Sequence, residues 1–185
     1  MTAPSPPSLL DELPGDLMIW VLIISELLVF GAGLAAFLSV RLTDPSGFAE
    51  AQSHLHRTGA ALNTIVLITS GYLAALALRF RMAGRRGAAR LALAGAAVLG
   101  AVFLVIKGAE YADKAAQGIT YDTHPFFMFY YLLTGFHVAH VIAGIVVILL
   151  VMWRDSVDNI EMGAAFWHMV DLIWVLLFPI VYLLA

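Results

Sequence analysis

The sequence predicts an all-α integral membrane protein: five transmembrane helices forming a single domain over residues 1–185. Three observations predict it. The chain is 62% hydrophobic and only 12% charged, with a mean hydropathy of +0.90, a balance that excludes an ordinary water-soluble domain. Five apolar stretches approach or exceed the roughly 20 residues a helix needs to cross a ~30 Å hydrocarbon layer. Those stretches are continuous rather than alternating, which favours helices over a β-barrel.

The residues 1–15, "MTAPSPPSLLDELPG", read as a mobile Pro-rich tail. They hold no Lys or Arg before the first apolar run, so they do not read as a cleavable signal peptide. The first span is Asp16–Val40, with Asp16 placed to cap it, and "RLTDPSGF" ends it. The second is Thr58–Phe80 and the third Ala88–Tyr111. The fourth, Phe126–Trp153, follows Pro125, whose missing N–H is tolerated in a first turn. The fifth is Gly163–Leu184, preceded by a loop over Arg154–Glu161.

Five of the ten basic residues, Arg79, Arg81, Arg85, Arg86 and Arg90, lie in or beside the connection between the second and third spans, within "RFRMAGRRGAAR". The excess of positive charge on cytoplasmic loops places this connection inside the cell. The N-terminus is then cytoplasmic and the C-terminus periplasmic in a bacterial inner membrane. Arg79 and Arg81 are candidates for holding anionic lipid headgroups. The net charge of −3 points to no nucleic-acid partner, and the absence of cysteine excludes thiolate metal sites and covalently attached haem.

Polar residues inside the spans are the candidate site. At about 1.5 Å per residue, Glu26 lies ~15 Å from the cytoplasmic boundary, His137 and His140 ~14 and ~9 Å, Asp171 ~12 Å and His168 ~8 Å. These five residues are expected to form one buried polar layer. His137 and His140 share a helix face at i,i+3, as do His168 and Asp171. A carboxylate in hydrocarbon costs about 2.5–3.5 kcal/mol even on a lenient scale, so Glu26 or Asp171 is expected to accept from an imidazole or to stay protonated. The small residues Gly135, Ala139, Ala143 and Gly144 would let another helix approach the fourth span. Lys107 and Glu110 read as an ion pair one turn apart near the outer end of the third span. His54, His56 and His124 fall in outer loops and read as solvated.

The polar layer admits three readings: packing and register between helices, a proton relay, or a metal site. No Glu-x-x-His pair suggests a dinuclear centre. A haem between His168 and either His137 or His140 is sterically conceivable but has no motif behind it.

Five stretches, "MIWVLIISELLVFGAGLAAF", "LNTIVLITSGYLAAL", "IKGAEYADK", "FFMFYYLLTGFHVAHVIAGIVVIL" and "AFWHMVDLIWVLLFPIVYLL", resemble in order the blocks of subunit III of the haem–copper oxidases. The resemblance covers every span. It aligns Glu26 with the buried carboxylate of an "SE" motif, Asn63 and Thr64 with "NT", and Glu110 and Tyr111 with "EY". It also aligns His137 and His140 with two histidines after "TGF", and His168 and Asp171 with "WH..D". With five spans, the chain is similar to the shorter bacterial branch, which lacks two N-terminal helices. That branch includes quinol oxidase subunit III and the E-type accessory protein of nitric oxide reductase. "VIKGAEYADKAAQGIT" looks closer to the latter.

The resemblance implies a non-catalytic accessory subunit. It would have no cofactor of its own, bind phospholipid, and support assembly, stability and proton uptake of a haem-bearing catalytic membrane subunit. The competing readings are a self-sufficient oxidoreductase binding haem or metal on His137, His140 and His168, and a small transporter. Neither a broken helix nor an inverted repeat signals a transport path.

Overall fold

The computed structural model describes residues 17–184; the tail and the cap expected at Asp16 lie outside them. Five helices are long and apolar enough to cross a membrane. They are α1 (Leu17–Arg41), α3 (Arg57–Met82), α4 (Arg86–Ala116), α5 (Pro125–Arg154) and α6 (Val157–Phe178), the last continued by a π-helical turn over Pro179–Leu183. A short helix, α2 (Pro45–Ser53), joins α1 to α3. No strand occurs among the described residues.

Helices α3, α4, α5 and α6 pack as a four-helix core, and α1 leans on α5 and α6 at its edge. Burial follows that arrangement. Within its most apolar window α6 is 50% buried and α1 only 17%, so α1 presents most of its side chains outward.

Two stretches expected as loops are ordered differently. "TDPSGFAEAQSHLH" contains α2, because Asp44 caps it through the Gly47 amide (3.0 Å) and Pro45 occupies the first turn. That amide, and then the His124 imidazole, hold the Asp44 carboxyl below its ordinary value. The Arg154–Glu161 loop shrinks to Asp155 and Ser156, since Ser156 accepts from the Asn159 amide and starts α6 at Val157. Asp155 takes a left-handed conformation (φ 37°), which Asp tolerates better than most residues.

Asp155 also clasps the arginine-rich face. Its carboxylate accepts from Arg81 Nε (2.8 Å) and an Arg90 Nη (3.3 Å), and its carbonyl accepts from Arg81 (3.0 Å). Arg81 is thereby turned into the α3–α5 junction, whereas Arg79 is exposed.

Trp167 pins the core. Its indole lies between Gly100 on α4 and Gly144 on α5, where a Cβ would stand 2.7 Å and 2.5 Å from ring carbons. Its Nε1 donates to Ser70 Oγ (3.0 Å), which donates to the Ala96 carbonyl (2.8 Å), linking α6, α3 and α4. Of the four small residues noted on α5, Gly144 receives this indole and Gly135 faces the Tyr111 hydroxyl, while Ala139 and Ala143 are exposed.

Candidate functional site: a ladder of buried polar groups

Polar side chains inside the bundle form separate stations rather than a single cluster. The first station joins α1 to α5. Glu26 Oε2 lies 3.2 Å from His140 Nε2, both side chains being mostly buried. His140 Nδ1 lies 2.8 Å from the Phe136 carbonyl, so it carries a proton and donates there. Nε2 therefore faces the Glu26 carboxyl at ion-pair distance, although Oε2 has no hydrogen-bond partner among the described residues.

His137, one turn away, does not join that pair. It is fully buried, stacked on Trp174 (5.2 Å between centroids) with Phe103 edge-on (5.5 Å), and neither ring nitrogen has a hydrogen-bond partner among the described residues. The i,i+3 spacing puts both histidines on one broad face, yet Phe30 packs against each ring and separates their surroundings.

His168 and Asp171 meet each other along α6, loosely, with Nδ1 and Oδ2 3.8 Å apart. Asp171 is buried against α3, where Gly71 makes room: a Cβ there would collide with the carboxylate. His168 is half-exposed and lines an apolar groove of about 290 Å³ between α1 and α6, together with Trp20, Glu161 and Met169.

The motif residues Asn63 and Thr64 face opposite neighbours. Asn63 donates to the Phe103 carbonyl at 3.4 Å. Thr64 Oγ1 accepts from Trp174 Nε1 at 3.0 Å.

The densest station lies toward the α2 face and centres on Lys107. Its ammonium is 1% exposed and donates to Glu110 (3.0 Å), the Tyr130 hydroxyl (3.1 Å) and the Tyr182 hydroxyl. The rings of Tyr111, Tyr130, Trp174 and Tyr182 surround it at 4.6–5.6 Å, a cage that stabilises a desolvated cation. Tyr182 also donates to both Glu110 oxygens (3.1 and 3.2 Å), and Tyr111 hydrogen-bonds Thr134 (2.7 Å). The π turn aims Tyr182 inward. Pro179 lacks an amide and the turn closes from Leu184 N to the Pro179 carbonyl, one residue wider than an α turn. Gln52 of α2 covers this end by donating to the Val181 carbonyl (2.9 Å).

The Lys107–Glu110 spacing was legible in the sequence; the tyrosines were not. Tyr130 and Tyr182 sit near span ends, where aromatic residues ordinarily mark the membrane interface. The usable signal was Lys107 itself, a cation inside an apolar run that had to find partners on other helices. His56 and His124 are not simply solvated. His56 Nε2 meets Asp113 at 2.8 Å. His124 caps α5 by accepting from the Phe126 amide through Nδ1 (3.1 Å), which leaves Nε2–H to donate to Asp44 (3.3 Å). Among the described residues no group of three or more His, Asp or Glu side chains is arranged to hold a metal ion.

Residues 15–185 match the family model for cytochrome c oxidase subunit III. The chain is 32% identical over 175 residues to cytochrome c oxidase subunit 3 of Thermostichus vulcanus, spanning 89% of this chain and 85% of that one. It is 30% identical over 173 residues to the subunit 3 of Corynebacterium diphtheriae, spanning 88% and 84%. It is also 27% identical over 178 residues to the heme-copper oxidase subunit I+III of Aeropyrum pernix, spanning 89% of this chain and 22% of that longer one.

Proposed function

The chain belongs to the cytochrome c oxidase subunit III family, and we propose that, as a non-catalytic accessory subunit of a haem–copper oxidase, it acts through packing beside catalytic subunit I. The observation that carries this reading is the family match across all five spans. The Aeropyrum pernix relative, whose name joins subunits I and III, supports adjacency of the two. The uneven burial of the bundle supports it as well. Helix α1 is the least buried span and carries Glu26 at the edge of the core, where a neighbouring subunit would complete the desolvation of the Glu26–His140 pair. Phospholipid belongs to the same reading. The α1–α6 groove suits an acyl chain, and exposed Arg79 suits an anionic headgroup.

The experiment compares the complex purified in gentle detergent with and without this chain. Co-eluting chains identify the partner as oxygen-reducing or nitric-oxide-reducing, and native mass spectrometry of the same preparation reads retained phospholipid. At equal haem content, loss of the chain should leave the haem spectrum intact and shorten the number of turnovers before inactivation. Identical activity and lifetime in both preparations would sink the proposal.

We further infer from the positive-inside rule that the arginine face is cytoplasmic. Because the chain has no cysteine, Arg85→Cys and Tyr121→Cys test this with a membrane-impermeant maleimide on intact cells. Tyr121→Cys should label and Arg85→Cys should not; the reverse pattern overturns the orientation.

A further inference from the structure

Lys107 and Lys114 are the two lysines of the chain, and both are buried near the end of α4 on the α2 face. Every other basic side chain able to carry a permanent charge is an arginine. The network around Lys107 is closed toward the bundle by Trp174, Tyr130 and Tyr182. It is not closed toward the α2 face. A notch of about 280 Å³ opens between the start of α3 and the end of α4, lined by His56, Gly59, Ile106, Ala109, Glu110 and Asp113. One of its lining residues is Glu110, whose carboxylate holds Lys107 and Tyr182. Its mouth is the exposed His56–Asp113 pair, where Gln117 and Lys114 also donate to Asp113 (2.8 and 3.2 Å). A space of this size with carboxylates and an imidazole on its walls accommodates several waters.

We propose that Glu110 is a proton-exchange site connecting the buried Lys107–Tyr182–Tyr130 network to the aqueous phase on the α2 face through this notch. The step is a proton relay. An N–H bond of the Lys107 ammonium breaks as an O–H bond forms on the Glu110 carboxylate, leaving a neutral amine and a neutral acid in the aromatic cage. The acid passes that proton to water in the notch, and Asp113, held beside His56, accepts it at the mouth. The return runs the same way. Tyr182, donating to Glu110, and Tyr130, donated to by Lys107, hold both ends of the first transfer at hydrogen-bond distance throughout. The titratable groups facing the pair are His56 before α3, Tyr111, Asp113 and Lys114 on α4, Tyr130 and Tyr131 on α5, and Tyr182 on the π turn. This function does not depend on which catalytic subunit the chain accompanies.

Gly59 supplies a selective test. A Cβ there meets only His56 Cβ at 3.8 Å, so the position accepts a side chain, and Gly59→Leu should fill the notch without removing any of its polar groups. The full chain, labelled with ¹⁵N-lysine and placed in bilayers, gives two side-chain amine resonances, assigned with Lys114→Arg. After transfer to D₂O, the Lys107 amine should exchange in the native chain. In Gly59→Leu its exchange should slow by about tenfold or more, because it then waits for local opening of the bundle. Asp113→Asn should slow it as well, and Leu62→Phe, on the outward face of α3, should leave it unchanged. An unchanged rate in a folded Gly59→Leu chain overturns the proposal. So does a native Lys107 amine that resists exchange as long as the core backbone amides do. If Gly59→Leu loses the native pair of resonances, Asp113→Asn decides alone, an unchanged rate again being fatal.

Discussion

Lys107→Met should destabilise the bundle by about 3–5 kcal/mol, the cost typical of removing one partner from a buried ion pair. The substitution conserves length and apolar volume, so it leaves the aromatic cage filled. What it removes is the only ammonium, among the described residues, positioned on Glu110, a residue 8% exposed whose carboxylate would keep the Tyr182 hydroxyl but lose its counter-charge. Lys107→Met combined with Glu110→Gln removes both charges and should regain most of the loss, because an amide can still accept from Tyr182. Equilibrium unfolding of the four chains in mixed micelles measures the cycle. A single-substitution loss below about 1 kcal/mol would place the pair among weakly coupled surface-type contacts and refute the packing described here.

Gly144→Leu is the second large effect. The Cβ alone would stand 2.5 and 2.6 Å from Trp167 ring carbons, and the ring has little room to shift because its other carbons already crowd Gly100, where a Cβ would stand 2.7 Å away. Overpacking of this kind typically costs 1–3 kcal/mol, and here the strain also pulls Trp167 Nε1 away from Ser70. The expected outcome is loss of the folded monomer on detergent gel filtration, or a fall of about 3 kcal/mol or more in unfolding free energy. Trp167→Phe in the Gly144→Leu background should relieve part of it by shrinking the ring. A Gly144→Leu chain as stable as the parent would mean that α5 and α6 do not approach through this glycine. Ala143→Leu, on the exposed face one residue earlier, is the control and should be near neutral.

The five spans were legible because hydrocarbon thickness sets a length that no soluble element needs to meet. The ends were less so. Helix α4 runs on to Ala116, past the expected end at Tyr111, because Lys107, Glu110 and Lys114 all find protein partners and need not reach water at the membrane boundary. Helix α2 and the start of α6 were written locally in Asp44-Pro45 and Ser156, signals overshadowed by the polar composition around them.

By itself, the sequence determined the order of the polar residues along their helices, the arginine-rich connection and the family to which the chain belongs. Position along a helix is a coordinate along its axis, and a rise of about 1.5 Å per residue makes it readable from the sequence alone. Partnership depends on the other two coordinates, the direction a side chain takes around its axis and the helix it meets there, and only the tertiary structure decided those. It joined Glu26 to His140, walled His137 in with Trp174 and Phe103, and kept His168 with Asp171 on one helix. At Tyr182 even the rotation was out of reach of periodicity. The widened turn after Pro179 displaces that residue from the α-helical register and directs its hydroxyl to Lys107, a partner 75 positions away in the chain.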